Sequence, residues 1–257
     1  MDAVADLLAR DRRSDRAALV VDGRERSYHE LITNAYKAGN VLRYHGVGEG
    51  RTVAVAPVPD LPPVLAFLGA AQLGAATRFD PEAGADAGDR LLLVPAAEQA
   101  TYDPAPGTKL AVFGGVDGRS PSANRTQSDD DAGDAETIDW AESVWSENPA
   151  FPPTEIAPET QLLVAGDRTV SHGDALAAAS EVADRRGLDA DSRVVIRASL
   201  AEPGAVVAGL LAPLLVGGCA VLVGPSGDDP RGDLAVTTGA APEPTAVDPN
   251  EISLSSR

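Results

Sequence analysis

The stretch best placed for chemistry is Ala165-Gly166-Asp167-Arg168-Thr169-Val170-Ser171-His172. It follows the apolar run Leu162-Leu163-Val164 and precedes an Ala-rich helical pattern. A turn from strand to helix can hold an anion, because the first N–H groups of the helix have no partner inside it. Gly166, Arg168, Thr169, Ser171 and His172 are therefore the candidate cofactor-binding residues. The stretch holds one Gly, no Lys, and the acidic Asp167 where a phosphate would sit. It reads as a plain hairpin turn before it reads as a phosphate loop. His172 has two readings, contact with an anion or surface and capping duty, and the second is favoured.

Other chemistry is thinner. Gly46-x-Gly48-x-Gly50 follows a helical pattern and precedes a strand, the reverse of what a dinucleotide fingerprint requires. His29, His45 and His172 have no metal-ligand spacing. There is no G-x-S-x-G elbow, and no carboxylate pair stands out from the acidic background. Cys219 is the single cysteine and lies in an apolar run, which reads as a buried structural thiol. No catalytic residue and no metal ligand is assigned.

The elements that must position these residues repeat. Residues 19–81 and 162–224 follow one plan. Each begins with an apolar run and a turn bearing Gly and Arg. A Ser with an aromatic or imidazole neighbour follows, Ser27-Tyr28 or Ser171-His172, then an Ala-rich helix that stops at Gly46 or Gly187. Next come a charged turn, a Val/Ile strand, a Pro-bearing loop, an apolar helix, a Gly break and a last apolar run. Ser27 with Glu30, and Ser171 with Asp174, have capping-box spacing. Strands are expected near 17–22, 26–28, 52–56, 90–95, 109–113, 161–164, 193–198 and 220–223. Helices are expected at 2–12, 28–44, 64–73, 172–186 and 203–215. Alternating strand and helix predicts an α/β fold, two similar subdomains of mostly parallel sheet flanked by helices. The expected division is 1–113, an acidic Gly/Ser/Pro-rich linker over 114–158, 159–226, and a polar, disordered tail over 227–257 with at most a short strand near 234–237. Trp140 and Trp145 are expected to dock on the domain edge.

Apolar residues make up 44% of the 257-residue chain, enough for a sizeable core. The formal charge of −18, with Lys only at Lys37 and Lys109, argues against nucleic acid and anionic lipid as partners. An acidic, Lys-poor composition points to a halophilic source, expected to be archaeal. The N-terminus has no signal-peptide core, so a cytoplasmic location is expected. The uncharged run 204–224 is interrupted by Pro213 and Gly217-Gly218, and reads as a buried helix, turn and strand, not as a membrane span. Asn124-Arg125-Thr126 matches a glycosylation triplet, read as chance.

As a composite, the first repeat resembles the start of the adenylate-forming enzymes: acyl-CoA synthetases, luciferases and peptide-synthetase adenylation domains. The resemblance rests on Ser27-Tyr28-His29-Glu30-Leu31, then Gly46-Val47-Gly48-Glu49-Gly50-Arg51-Thr52-Val53-Ala54-Val55, then Pro57-x-Pro59-Asp60. It continues through Leu65-Ala66-Phe67-Leu68-Gly69-Ala70-Ala71-Gln72-Leu73-Gly74-Ala75 to Asp80-Pro81. The family pattern is "TYxEL", "GVxxGDRVAV", "A(F/L)LAxLxxGA" and "P(L/I)xP". The second repeat is similar at "SHGDALAAA", "GLDADSRVVI" and "LLAPLLVGGCAVLV".

The resemblance implies the paired sheets of the family's N-terminal domain, with ATP, magnesium and CoA as ligands. The sequence departs from the family where chemistry is done. The loop "TSGTTGxPKG" belongs between Leu163 and Ser171, but only Val164 to Val170 lie there, without the Ser/Thr/Gly cradle or its Lys. The "YGxTE" motif, the ribose-binding Asp, the hinge and the catalytic Lys are not found. The expectation is a truncated, degenerate relative without autonomous ligase activity, acting as a binding or regulatory partner of a full-length synthetase or other protein. Two alternatives stay open: a ligase with a reshaped site completed by another chain, and an acyl or nucleotide binding module.

Overall fold

The computed structural model describes residues 1–81, 88–114, 137–224 and 229–254. The triplet at Asn124 and the carboxylate run Asp129-Asp130-Asp131 lie outside them. The fold is α/β, with two mostly parallel sheets flanked by helices.

The first sheet contains β1 (Ala17–Val21), β2 (Arg24–Ser27), β10 (Arg193–Ile196), β11 (Cys219–Leu222), β12 (Leu234–Val236) and β13 (Thr245–Val247), in the order β13-β12-β10-β11-β1-β2. The second contains β3 (Thr52–Val55), β4 (Ala76–Arg78), β5 (Asp89–Pro95), β6 (Lys109–Phe113), β7 (Ile138–Asp139), β8 (Gln161–Ala165) and β9 (Arg168–Ser171), in the order β7-β6-β5-β3-β4-β8-β9. Each antiparallel hairpin sits at the edge of the sheet built by the other repeat. β1 runs parallel to β11, with Leu19 opposite Ala220, and β8 runs parallel to β4, with Thr77 opposite Leu163. Apart from β7, the two sheets have one topology with their hairpins exchanged. The division at 1–113 and 159–226 thus follows the repeat in the chain, and each sheet draws on both parts.

The helices form where sequence signals place them. At α1 (Tyr28–Tyr44), Ser27 Oγ accepts from the Glu30 N–H at 3.2 Å, and Glu30 Oε2 accepts from the Ser27 N–H at 2.8 Å. α2 starts at Leu61, three residues earlier than the pattern suggests, because Asp60 caps it, and runs to Ala71. Pro62 and Pro63 fall in its first turn, where N–H groups have no helical partner to lose. α4 spans His172–Arg186 and ends on Gly187 at φ +64°. The last helical stretch is α5 (Pro203–Val206), a π turn at Val207–Leu211 and α6 (Ala212–Val216). Pro213 has no N–H for the Gly209 carbonyl and crowds it, so the helix widens there.

Two expectations are corrected. The segment read as a linker contributes β7 and α3 (Trp140–Ser146), with Asp139 Oδ1 capping α3 through the Glu142 N–H at 3.0 Å. Trp140 anchors it at 1% exposure, whereas Trp145 is 85% exposed. The segment read as a tail contains β12, the short strand expected near 234–237, and adds β13 beyond it. Each has only three residues and adds to a sheet already formed, so little sequence is needed.

One large core joins a face of each sheet to the helices between them. Val53 and Val55 of β3 face it, while Ala54 and Ala56 face a second cluster on the far side of the sheet. That alternation is the period of two expected of a strand covered on both faces. Among the described residues no helix is long and apolar enough to cross a membrane.

Candidate functional site

In a parallel sheet, ligands collect at the carboxyl ends of strands where neighbouring connections leave on opposite faces. β3 is such a point. The chain after β3 enters α2 in the main core, whereas Ala96 and Tyr102, following β5, pack on the opposite face. A cavity of about 570 Å³ opens there. Ala56 to Pro59 after β3, Phe79 to Pro81 after β4, Glu98 and Tyr102 after β5, and the end of β8 with Gly166 form its walls. Ala201, in the segment after β10, also lines it.

Most of the residues lining the cavity are apolar. Among its described lining residues are two exposed carboxylates, Asp80 and Glu98, and no Lys, Arg or His. Arg78, at the end of β4, is not among the lining residues and is held by Asp80 and Asp89. It is 5% exposed, and its Nη2 lies 2.5 Å from Asp89 Oδ2 while Nη1 donates to the Asp80 carbonyl. Thr108 Oγ1 donates to the Asp89 carbonyl at 2.9 Å, tying this buried pair to the loop before β6.

The candidate residues separate. β8 and β9 are joined by a two-residue turn, Gly166-Asp167, with Gly166 at φ +57°. Gly166 lines the cavity. Arg168 is exposed at the start of β9 and pairs in register with Ala165, while Thr169 pairs with Val164. Ser171 and His172 lie at the other end of the hairpin, about 10 Å from Arg168 at the usual rise per strand residue. The N-terminus of α4 therefore does not face the cavity.

Nor does that N-terminus have donors to offer an anion. The His172 N–H donates to the Thr160 carbonyl at 3.0 Å and the Gly173 N–H to the Pro158 carbonyl at 2.8 Å. The Asp174 N–H donates to Ser171 Oγ at 3.1 Å. His172 is not a surface residue, as its 0% exposure shows. Its Nδ1 accepts from the Val4 N–H at 3.1 Å, and burial pushes its pKa down to about 4. The ring pins the N-terminal segment, whose Val4, Leu7 and Leu8 are buried, onto α4.

The equivalent place in the first sheet is filled. Arg197 follows β10 as Ala56 follows β3. Its Nε and Nη2 reach Glu243 Oε2 and Oε1 at 3.0 and 2.7 Å, and Asp229 adds a contact at 2.8 Å. Hydrogen bonding to Arg197 holds the Glu243 carboxyl below its usual range. Of two topologically equal crevices, one is closed by an ion pair and the other is a cavity. Among the described residues no group of three or more His, Cys, Asp or Glu side chains is placed to hold a metal ion.

Sequence reasoning missed Glu98 and Tyr102 as wall residues, since it assigned nothing between the strands expected at 90–95 and 109–113. It also missed the Arg78–Asp89 pair, whose only signal was one charged residue at the end of each apolar run.

No family model matches the sequence, and no curated protein matches it either. Solved structures do match. The anthranilate CoA ligase AuaEII, in complex with anthranoyl-AMP, superposes with a TM-score of 0.73 at 18% identity, over 91% of this chain and 49% of that one. The chain has the fold of the N-terminal domain of adenylate-forming enzymes. A benzoate CoA ligase from Burkholderia xenovorans LB400 gives a TM-score of 0.68 at 16% identity, over 92% of this chain and 50% of that one. An artificially fused adenylation–PCP di-domain from Klebsiella oxytoca, NpsA-ThdA, gives 0.63 at 17%, over 89% and 41%. The chain thus spans about half the length of the ligases it matches.

Proposed function

We propose that this chain is a binding module on the ligase fold, holding a small, largely apolar molecule at the carboxyl ends of β3, β4, β5 and β8 without adenylating it. The observation that carries this reading is the β8–β9 turn. Only two residues, Gly166 and Asp167, stand between the strands, and they bring neither a Gly-rich cradle nor a cation to the cavity that Gly166 lines. The helix that follows has its first N–H groups bonded to Thr160, Pro158 and Ser171. Adenylation depends on holding nucleotide phosphates with positioned donors and positive charge. The residues present do not fit that task, so no step is derived through ATP, magnesium or CoA. The cavity volume lies within the range of small-molecule sites. The ligases of similar fold bind or act on anthranoyl and benzoate groups, which supports a ligand of that size.

The test is pyrophosphate exchange together with thermal melting in ATP–Mg²⁺ and in CoA. The expected result is no exchange above background and no shift. A nucleotide present at about 100 times its Kd stabilises by roughly 2.7 kcal/mol, so a shift of several degrees would overturn the reading.

A second reading, a regulatory partner of a complete synthetase, is favoured by two exposed aromatic rings. Trp145 and Tyr44 are 85% and 84% exposed, and rings of this kind are enriched where proteins meet. A changed rate of a purified full-length synthetase on adding this chain would support it. No change at saturating concentration would remove it.

A further inference from the structure

We propose that the face formed by α1 and residues 145–154 is a docking surface for an acidic segment of a partner protein. The inference deepens the second reading above by giving the partner's charge, and it is independent of the cavity. The face is a ladder of rings and cations. Arg10 and Arg13 lie over the Tyr36 ring, with their guanidinium carbons 5.9 and 5.3 Å from its centroid. Tyr36 stacks on Phe151 at 5.5 Å between centroids. Arg43 lies over Phe151 at 4.4 Å, and Lys37 over Trp145 at 5.8 Å. Tyr36, Lys37, Asn40, Arg43 and Tyr44 fall on one stripe of α1 by their spacing. The segment alongside is fastened to that stripe. Lys37 Nζ donates to the Trp145 carbonyl at 3.0 Å, and Asn40 Nδ2 to the Asn148 and Ala150 carbonyls at 2.8 and 2.9 Å. The surface is thus ordered before a partner arrives, which lowers the entropy lost on binding.

Charge decides the occupant. The chain carries −18 in total, yet these four cations have no carboxylate among the described residues. The ion pairs there use Arg16, Arg78, Arg185, Arg193, Arg197 and Arg231 instead. Arg10, Arg13, Lys37 and Arg43 meet rings, and the last two also meet neutral oxygens, which leaves their charge uncompensated. Arg13 Nε is buried without a hydrogen-bond partner. Carboxylates on a partner would supply the missing counter-charge, while Trp145 and Tyr44 supply area. Arg, Tyr and Trp are also the side chains that contribute most at protein interfaces. A nucleic acid or an anionic lipid surface would extend past the ladder onto the acidic remainder of the chain, where like charges repel. A short acidic segment can touch the ladder alone.

The test uses the purified full chain and three synthetic peptides of about fifteen residues without aromatic side chains. Each has leucine at helical spacing, with glutamate, glutamine or lysine between. Binding is read at pH 7 and low salt from the emission of Trp145, which is exposed and should shift to the blue when covered, whereas Trp140 is already buried. The glutamate peptide should bind about tenfold more tightly than the glutamine peptide, and the lysine peptide more weakly than either. Arg10→Gln with Arg13→Gln should remove most of that difference. If the double variant melts early, Arg10→Gln alone, an exposed side chain, carries the test. Arg185→Gln removes one charge on α4, outside the ladder, and should leave the affinity unchanged. A glutamate peptide no tighter than the glutamine one overturns the charge assignment and leaves the docking face standing. An equal loss in Arg185→Gln and Arg10→Gln also overturns it, since the attraction would then be diffuse. Tighter binding to phosphatidylserine vesicles than to the glutamate peptide overturns the assignment of a protein partner. So does a dimer of the chain alone, seen by sedimentation, that the double variant abolishes. No spectral shift with any peptide at millimolar concentration overturns the face itself, even where a synthetase responds to the chain in the rate assay above.

Discussion

Tyr28 and His172 occupy the same position in the two repeats, the first residue of the helix after a capping serine, and both are buried, at 3% and 0% exposure. Each fixes its helix to a distant part of the chain. The Tyr28 hydroxyl donates to the Gly218 carbonyl at 2.7 Å. His172 accepts at Nδ1 from the Val4 N–H, so the neutral ring carries its proton on Nε2, which is buried without a hydrogen-bond partner. The tyrosine can donate at any pH below its own titration, which burial pushes upward. The histidine works only while neutral.

Acid should therefore loosen the N-terminal segment. His172 titrates near 4 in the folded chain against 6.5 for the ordinary group, so between those values the unfolded chain binds more protons. Its contribution is fully present above pH 6.5 and is lost as pH falls toward 4, amounting to about 3 kcal/mol. Urea midpoints at pH 7, 5.5 and 4.5 will show a steeper fall for the native chain than for His172→Phe. Parallel curves for the two proteins would contradict this assignment.

The Arg78–Asp89 pair should be costly to break and cheap to replace. Both side chains are almost wholly buried. Asp89→Ala leaves a guanidinium without its counter-charge, and a loss of about 3–5 kcal/mol is expected in denaturant unfolding. Arg78→Met combined with Asp89→Leu should recover most of it.

α1 and α2 meet backbone to backbone. A Cβ on Gly69 would stand 2.9 Å from the Gly39 nitrogen and 3.1 Å from the Ala38 carbonyl carbon. Alanine favours a helix interior by about 1 kcal/mol over glycine, yet overpacking costs about 1–3 kcal/mol. Gly69→Ala should lower the melting temperature despite its better helix propensity. Gly48→Ala meets nothing within 4 Å and should leave it unchanged.

Ser171→Ala separates capping from ligand binding. Loss of the cap should reduce stability by about 1 kcal/mol. Since Ser171 stands at the far end of the β8–β9 hairpin from the cavity, small-ligand affinity should not move. An affinity change would place Ser171 near the ligand after all.

Most of the elements were legible because they rest on local rules. Ser27 with Glu30 and Ser171 with Asp174 mark helix starts, Gly187 marks an end, and Val53 to Val55 reads as a buried strand. What local rules cannot carry is partnership. Nothing in Leu19 or Leu163 says that its neighbour lies in the other repeat. His172 looked like a cap residue because a helix start is normally wet, and only the arrival of Val4 makes it dry. Glu98 and Tyr102 looked like loop residues for the same reason. The strand at Ile138 was hidden by its length of two residues, too short to show a period.

The exchanged hairpins make folding a mutual strand donation. The pairing of β1 with β11 joins residues roughly 200 positions apart. Closing so long a loop adds little free energy, since each doubling of length costs only about 0.6 kcal/mol, but such distant pairings slow folding. While the chain is being made, β4 keeps an open edge until β8 is synthesised, and β1 waits for β11. A cut between the repeats would leave two fragments, each carrying the hairpin that the other lacks. They should be unstable apart and complementary together.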